Sequence, residues 1–184
     1  MTKAPVPTLS GRATLGETAA AAARPWRRPK APGAIALTGG FPWPGILPTA
    51  ALARAFNAVL SRPDAGETAL PYHLTEGTEE LRAWIAAEQG ADLELVQVTN
   101  GALHSVSYVL DALVDPGDPV VVEDPTYPLA LGLFHHYGAR VVGAPVDADG
   151  IDVEHLKNLL VDGLRPKLVY VIPDFQNPTG ATLT

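Results

Sequence analysis

The sequence predicts an α/β fold in which a mainly parallel sheet is sandwiched by helices. Short apolar runs alternate with segments of helical periodicity from Thr78 onward, which is the signature of such a layer. The run Val120-Val121-Val122 is apolar without alternation, as a strand covered on both faces requires. Three loops that follow strands are rich in Gly, Pro, Asn, Thr or Tyr, at the place where open sheets of this kind hold ligands.

Residues 1–33 read as a flexible arm, in preference to a binding arm. They hold Pro5, Pro7, Pro25, Pro29 and Pro32, the alanine run Ala19 to Ala23, and the basic cluster Arg24, Arg27, Arg28 and Lys30. A signal peptide puts its charge first and its apolar stretch second, and here the order is reversed. From Ile35 the pattern tightens: an apolar run to Thr38 enters Gly39-Gly40 and Phe41-Pro42-Trp43-Pro44, where the backbone is free to turn and approach a neighbour. Pro48 opens a helix with Leu52, Phe56, Val59 and Leu60 on one face, and Arg62 to Gly66 ends it. Thr78 can cap the next helix, with Glu79 and Glu80 in the first turn, Leu81, Trp84 and Ile85 at helical spacing, and Gly90 at the end.

Leu95 to Thr99 reads as a strand, and Asn100-Gly101 turns the chain into a helix carrying Val106, Val109, Leu110 and Leu113. Asp115-Pro116-Gly117-Asp118 is a turn before the Val120–Val122 strand. Pro128 to Tyr137 reads as a helix stopped by Gly138, and Arg140 to Val142 as a short strand. Asp152 caps a helix with Leu156, Leu159 and Leu160 inside, and Lys167 to Ile172 is the last strand.

The 184 residues are 47% hydrophobic and 18% charged, so global disorder is excluded. A formal net charge of -7 argues against a nucleic-acid partner. No cysteine is present, which removes disulfides, thiolate metal sites and cysteine nucleophiles. No run of about 18 apolar residues encodes a membrane span, and the expected compartment is the cytoplasm. His135 and His136 are adjacent, and His73, His104 and His155 are scattered, so no metal site is expected.

Gly101-Ala102-Leu103 lies where free backbone amides and a helix dipole favour an anion, above all a phosphate; a ligand-free turn reads the same way. Neither a Walker lysine nor a G-x-G-x-x-G pattern accompanies it. Tyr127, in Asp124-Pro125-Thr126-Tyr127-Pro128, either stacks on a planar ligand or covers the sheet edge. Asn177, in Asn177-Pro178-Thr179-Gly180, either donates its amide to a ligand oxygen or closes an Asx turn.

Taken in order, these segments resemble the first half of the class I and II aminotransferases. Those are pyridoxal-phosphate enzymes with the aspartate-aminotransferase type of fold. The likeness runs from about Ile35 to Thr184, and is greatest to the group with 2-aminoadipate and aromatic aminotransferases and the effector domains of related transcription regulators. Its carriers are Gly39-Gly40-Phe41-Pro42, Tyr72-His73-Leu74-Thr75-Glu76-Gly77 with Leu81-Arg82, Thr99-Asn100-Gly101-Ala102, Glu123 to Pro128, and Phe175 to Gly180.

The resemblance implies that Ala102 and Leu103 hold the cofactor phosphate through backbone donors, and that Tyr127 stacks on the pyridine ring. Asn177 would bond the phenolic oxygen. Tyr72 would reach the phosphate of a neighbouring subunit's cofactor, implying a homodimer, and the Gly40 backbone would lie by the substrate carboxylate. Leu103-His104 stands where these enzymes often have Gln-Gln or Gln-His, so position 103 keeps a backbone contact but no side-chain one. The same resemblance divides the chain into the arm, a segment 34–70 contributing to the small domain, and 71–184 as the first part of a cofactor-binding large domain, incomplete at the C-terminus.

It further implies an amino-acid to 2-oxo-acid transfer through a Schiff-base lysine. The lysines are Lys3, Lys30, Lys157 and Lys167, whereas the family's lysine lies beyond the Asn-Pro-Thr-Gly turn. The expectation is therefore an N-terminal fragment, inactive by itself. The alternatives are a ligand-sensing domain of a transcription regulator, whose winged DNA-binding domain would not fit in about thirty residues, and a non-catalytic remnant.

Overall fold

The computed structural model describes Gly33, Ile35 and residues 42–184. Two compact units meet in sequence at Thr99 and Asn100.

In the first unit, α1 spans Thr49–Leu60, α2 Ala65–Thr68 and α3 Glu79–Gln89. Helix α3 starts after Thr78 and stops at Gly90, whose φ of 62° is left-handed and favours glycine there. Its buried face differs from the expected one. Arg82 and Ala86 are buried, while Leu81 and Trp84 are exposed. The guanidinium of Arg82 explains this, because Nε donates to the Val96 carbonyl and Nη2 to the Leu93 carbonyl, each at 2.8 Å.

Those bonds also correct the expected strand at Leu95 to Thr99. Leu93–Leu95 is a 3-10 turn and residues 96–99 form no ladder. Arg82 takes the Val96 carbonyl, which a neighbouring strand would have used, and Val98 N pairs with the Glu76 carbonyl at 2.9 Å. Gly77 sits at a φ of 99°, and a Cβ there would lie 2.8 Å from the Val98 side chain, so both conformation and contact demand glycine. The apolar face of α1 forms as spaced, but Leu52, Phe56, Val59 and Leu60 are all exposed.

In the second unit, α4 is Ala102–Leu113, β1 Pro119–Asp124, α5 Pro128–His136, β2 Arg140–Asp147, β3 Gly150–Ile151, α6 Val153–Val161 and β4 Leu168–Tyr170. The sheet order is β3-β2-β1-β4. Strand β1 runs parallel to both neighbours, with Val121 opposite Val142 and Val169. Val120, Val121 and Val122 are at most 3% exposed. Each such burial contributes about 1.5–3 kcal/mol, so this central strand anchors the unit.

The pleat divides its side chains between two layers. Val120 and Val122 pack with Leu110 of α4 and with Ala130 and Phe134 of α5. Val121 packs with Ala144 and Ile151, against which Leu156 of α6 rests. Helices therefore cover both faces, as the unalternating apolar run predicts.

Strand β2 extends five residues past the expected Val142 because it also carries a hairpin. Val146 and Asp147 pair antiparallel with Ile151 and Gly150, and Asp149 N donates to the Asp147 carboxylate at 2.8 Å in the turn. Asp152 caps α6 by accepting from His155 N at 2.8 Å, although Leu160 stays partly exposed. Strand β4 is shorter than the expected Lys167 to Ile172. Its ladder ends because Ile172 N turns to the Glu123 carboxylate.

Candidate active site

Helix α4 packs on β1 and leads through the Asp115–Asp118 turn into that strand's start. Its own start consequently lies toward the carboxyl ends of the strands. Gly101, at a φ of 87°, precedes it, and the Gly101 carbonyl takes the amides of His104 at 3.0 Å and Ser105 at 3.4 Å. Ala102 and Leu103 hold the first helical positions, whose amides lack an intrahelical acceptor. His104 is structural here: its Nδ1 accepts from Asn100 N at 3.1 Å, and its ring tilts against Tyr108 at 4.3 Å.

Tyr127 stands at the N-cap of α5, ahead of Pro128. Its half-buried ring packs on the Leu110–Phe134 cluster. Asn177 is exposed in the loop after β4. The peptide bonds Asp124-Pro125 and Asn177-Pro178 are cis.

A buried polar network joins these last two loops. Glu123 and Gln176 are each 2% exposed. Gln176 Nε2 donates to Glu123 Oε2 at 3.0 Å and to the Pro125 carbonyl at 2.8 Å. Its Oε1 accepts from Thr179 N at 2.9 Å and Thr179 Oγ1 at 2.7 Å. The amide is thus fully satisfied in one orientation only, with two acceptors on its nitrogen side and two donors on its oxygen side. Beside it, a cavity of about 190 Å³ lies between Asp124, Thr126, Leu131 and Gly143, and the buried Thr126 hydroxyl has no protein partner.

Tyr170, at the end of β4, has its phenol pushed above the ordinary tyrosine range, first by burial and then by the nearby Glu123 and Tyr127. Its neutral form is the one the fold favours. Stability from this group is present below the ordinary pKa of about 10 and lost as pH rises through the raised one. Titration of tyrosinate absorbance should therefore show a late-ionising tyrosine that vanishes in Tyr170→Phe; an unchanged late step in that variant would assign it elsewhere.

The structure thus places Ala102, Leu103, Tyr127 and Asn177 in the same unit, on junctions facing the strand ends. Tyr72 belongs to the other unit and is fully exposed. Gly40 and the arm lie outside the described residues. Glu123 and Gln176 fall within the motifs that carry the resemblance, yet nothing in the sequence assigns either a role. The signal that could have found Glu123 is a carboxylate continuing a fully buried apolar strand. Among the described residues the lysines are Lys157, paired with Glu154 on the exposed face of α6, and Lys167, 4.0 Å from Asp118 at the amino end of β4. Among the same residues no group of three His, Asp or Glu side chains gathers to hold a metal, and no helix is long and apolar enough to cross a membrane.

The chain is 37% identical over 149 residues to 2-aminoadipate transaminase of Thermus thermophilus, covering 81% of this chain and 37% of that protein. It is 34% identical over 159 residues to aromatic-amino-acid aminotransferase 1 of Thermococcus litoralis, covering 81% and 38%. Less than two fifths of these curated relatives is therefore spanned. Among solved structures, the α-aminoadipate aminotransferase of Thermus thermophilus complexed with N-(5'-phosphopyridoxyl)-L-leucine superposes with a TM-score of 0.73 at 36% identity, over 79% of this chain and 37% of that one. Residues 45–184 match the family described as aminotransferase class I and II, and the chain belongs to that family.

Proposed function

We propose that this chain is the N-terminal, cofactor-binding portion of a pyridoxal-phosphate-dependent aminotransferase that exchanges an amino group between an amino acid and a 2-oxo acid. One observation carries the reading: helix-start amides, an aromatic ring and an exposed amide occupy neighbouring junctions on the carboxyl side of a parallel sheet, in one compact unit. These groups fit the parts of the cofactor. Unpaired amides at a helix start suit a phosphate, the Tyr127 face suits a planar ring, and the Asn177 amide suits a phenolic oxygen.

When bound, pyridoxal phosphate supplies an electrophilic carbonyl and a ring that withdraws electrons from the substrate's α-carbon. Ala102 and Leu103 would anchor its phosphate through N–H groups. Tyr127 would fix the ring plane, and Asn177 would donate to the oxygen beside the reacting carbon. Gly40 is proposed to lie by the substrate carboxylate, and Tyr72 to reach the phosphate of a second copy's cofactor, so the working form would be a cytoplasmic homodimer. The segment 34–70 would belong to the small domain and 71–184 to the large one. The reaction also needs an amine that moves a proton. Lys157 and Lys167 do not face the strand ends, so the amine would come from outside the described residues.

The test is a pyridoxal-phosphate titration of the natural translation product that carries this chain. Saturable binding is expected. Tyr127→Ala should weaken it about two- to tenfold from lost stacking alone, and Tyr127→Phe should stay close to wild type. Asn177→Ala should shift the bound cofactor's absorption band. Equal losses in the two Tyr127 variants would assign the contact to the hydroxyl, and no saturable binding to wild type would overturn the reading.

A further inference from the structure

Glu123 and Gln176 are a buried ion and a buried amide that none of the proposed cofactor contacts uses. We infer that they are positioning residues: their hydrogen bonds set the distance between the loop bearing Tyr127 and the loop bearing Asn177. The inference rests on the cofactor reading above and adds residues to it.

The geometry is specific. Gln176 Nε2 reaches two points on the Tyr127 loop side, the Glu123 carboxylate at 3.0 Å and the Pro125 carbonyl at 2.8 Å. Its Oε1 is gripped from the Asn177 loop itself by both donors of Thr179. Glu123 also holds the strand leading into that loop, since both carboxylate oxygens accept from Ile172 N at 3.2 Å. Asn177 is thus bracketed by Gln176 and Thr179, while Tyr127 lies two residues from Pro125. Two loops without a shared ladder are held together by side chains from within.

Buried networks of this kind act as a unit, because a partly satisfied member costs more than its bond contributes. Each substitution therefore has a distinct consequence. In Glu123→Gln the charge is lost and one oxygen becomes an N–H₂ group: at the Oε2 position it opposes both Ile172 N and Gln176 Nε2, and at the Oε1 position it opposes Ile172 N while the one remaining oxygen serves both donors. In Gln176→Leu, the Pro125 carbonyl and both Thr179 donors lose this partner, and the Glu123 carboxylate is left with Ile172 N. Thr179→Val removes one donor, and Thr179→Ser keeps both.

The phosphate contact offers an internal control, since it depends on the start of α4 and not on either loop. The experiment measures affinity for pyridoxal phosphate and for inorganic phosphate in the natural translation product. Glu123→Gln and Gln176→Leu should lose about ten- to a hundredfold in cofactor affinity, the scale for hydrogen bonds to a buried charge, with inorganic phosphate bound as in wild type. The bound cofactor's absorption band should shift as in Asn177→Ala. Thr179→Val should weaken cofactor binding to a smaller degree, and Thr179→Ser should bind more tightly than Thr179→Val. A wild type that takes up no pyridoxal phosphate overturns the cofactor reading. A wild type that binds it, with Glu123→Gln and Gln176→Leu binding equally well, overturns the positioning role alone. Should Gln176→Leu also lose inorganic phosphate, the Thr179 pair decides: equal affinities for Val and Ser would overturn the role, and a Ser advantage would uphold it.

Discussion

Phe134→Ala is expected to cost the second unit about 3–5 kcal/mol, the scale for deleting a buried aromatic side chain. Phe134 is 0% exposed. It sits in α5 between Val120 and Val122 of the central strand and Leu110 of α4. Its ring meets Tyr170 edge-on at a centroid distance of 5.3 Å, which adds about 0.5–1.5 kcal/mol beyond burial. A domain of this size has about 5–15 kcal/mol in total, so much of the margin would go. The loss should reach the site, because Tyr127 is the N-cap of α5 and the same cluster supports its ring. Urea unfolding followed by near-ultraviolet circular dichroism measures the cost. Phe134→Leu should lose less, since it keeps most of the volume. A loss below about 1 kcal/mol for the alanine variant would mean the cluster collapses around the gap and does not limit stability.

Much of this fold was legible because β1 is central. A strand covered on both faces has no polar alternation to maintain, so Val120-Val121-Val122 announces both its type and its place. Helices α4, α5 and α6 were legible from local signals: Gly101 and Pro128 at their starts, the Asp152 cap, and Gly138 after α5. Errors arose where distant groups decided the backbone. Leu95 to Thr99 has strand-like composition, yet Arg82, more than ten residues earlier, captures the Val96 carbonyl that it would have paired. The last strand stops early because a side chain 49 residues away, Glu123, binds Ile172 N. Periodicity is blind to both, since it registers only neighbours along the chain.

The candidate site shows the same division. Ala102 and Leu103 were marked as candidates by a local rule, the exposed amides of a helix start. Tyr127 and Asn177 were marked as loop residues after strands. The Gln176 amide that bridges their loops was not, because what makes it unusual is burial, and a glutamine beside an exposed Phe175 and Asn177 carries no sign of that. Its acceptors, Glu123 and Pro125, lie more than fifty residues earlier, and only the folded chain brings them to it. The apolar face of α1 is the converse case, with correct spacing and exposed side chains.

Residues 1–184 as a polypeptide are expected to transfer no amino group, whatever amino acid and 2-oxo acid are supplied. Amino transfer needs an amine within reach of the cofactor's carbonyl and a base that moves a proton at the substrate's α-carbon, and a positioned acid or base alone contributes about 10²–10⁴-fold. Lys167 N donates to the Pro119 carbonyl at 2.9 Å, at the amino end of the sheet, and its ammonium faces Asp118. Lys157 is tied to Glu154 on the outer face of α6. Both ammonium groups therefore point away from the junctions that bear Ala102, Tyr127 and Asn177. Binding and turnover should separate in this polypeptide: the pyridoxal phosphate it takes up is expected to form no covalent bond with Lys157 or Lys167. Borohydride reduction followed by mass mapping should find no stoichiometric adduct at Lys157 or Lys167, and Lys157→Arg and Lys167→Arg should leave cofactor affinity unchanged. Measurable turnover, or a one-to-one adduct at either lysine, would show that the amine lies within these strands after all and would move the reacting centre away from the loops that carry Tyr127 and Asn177.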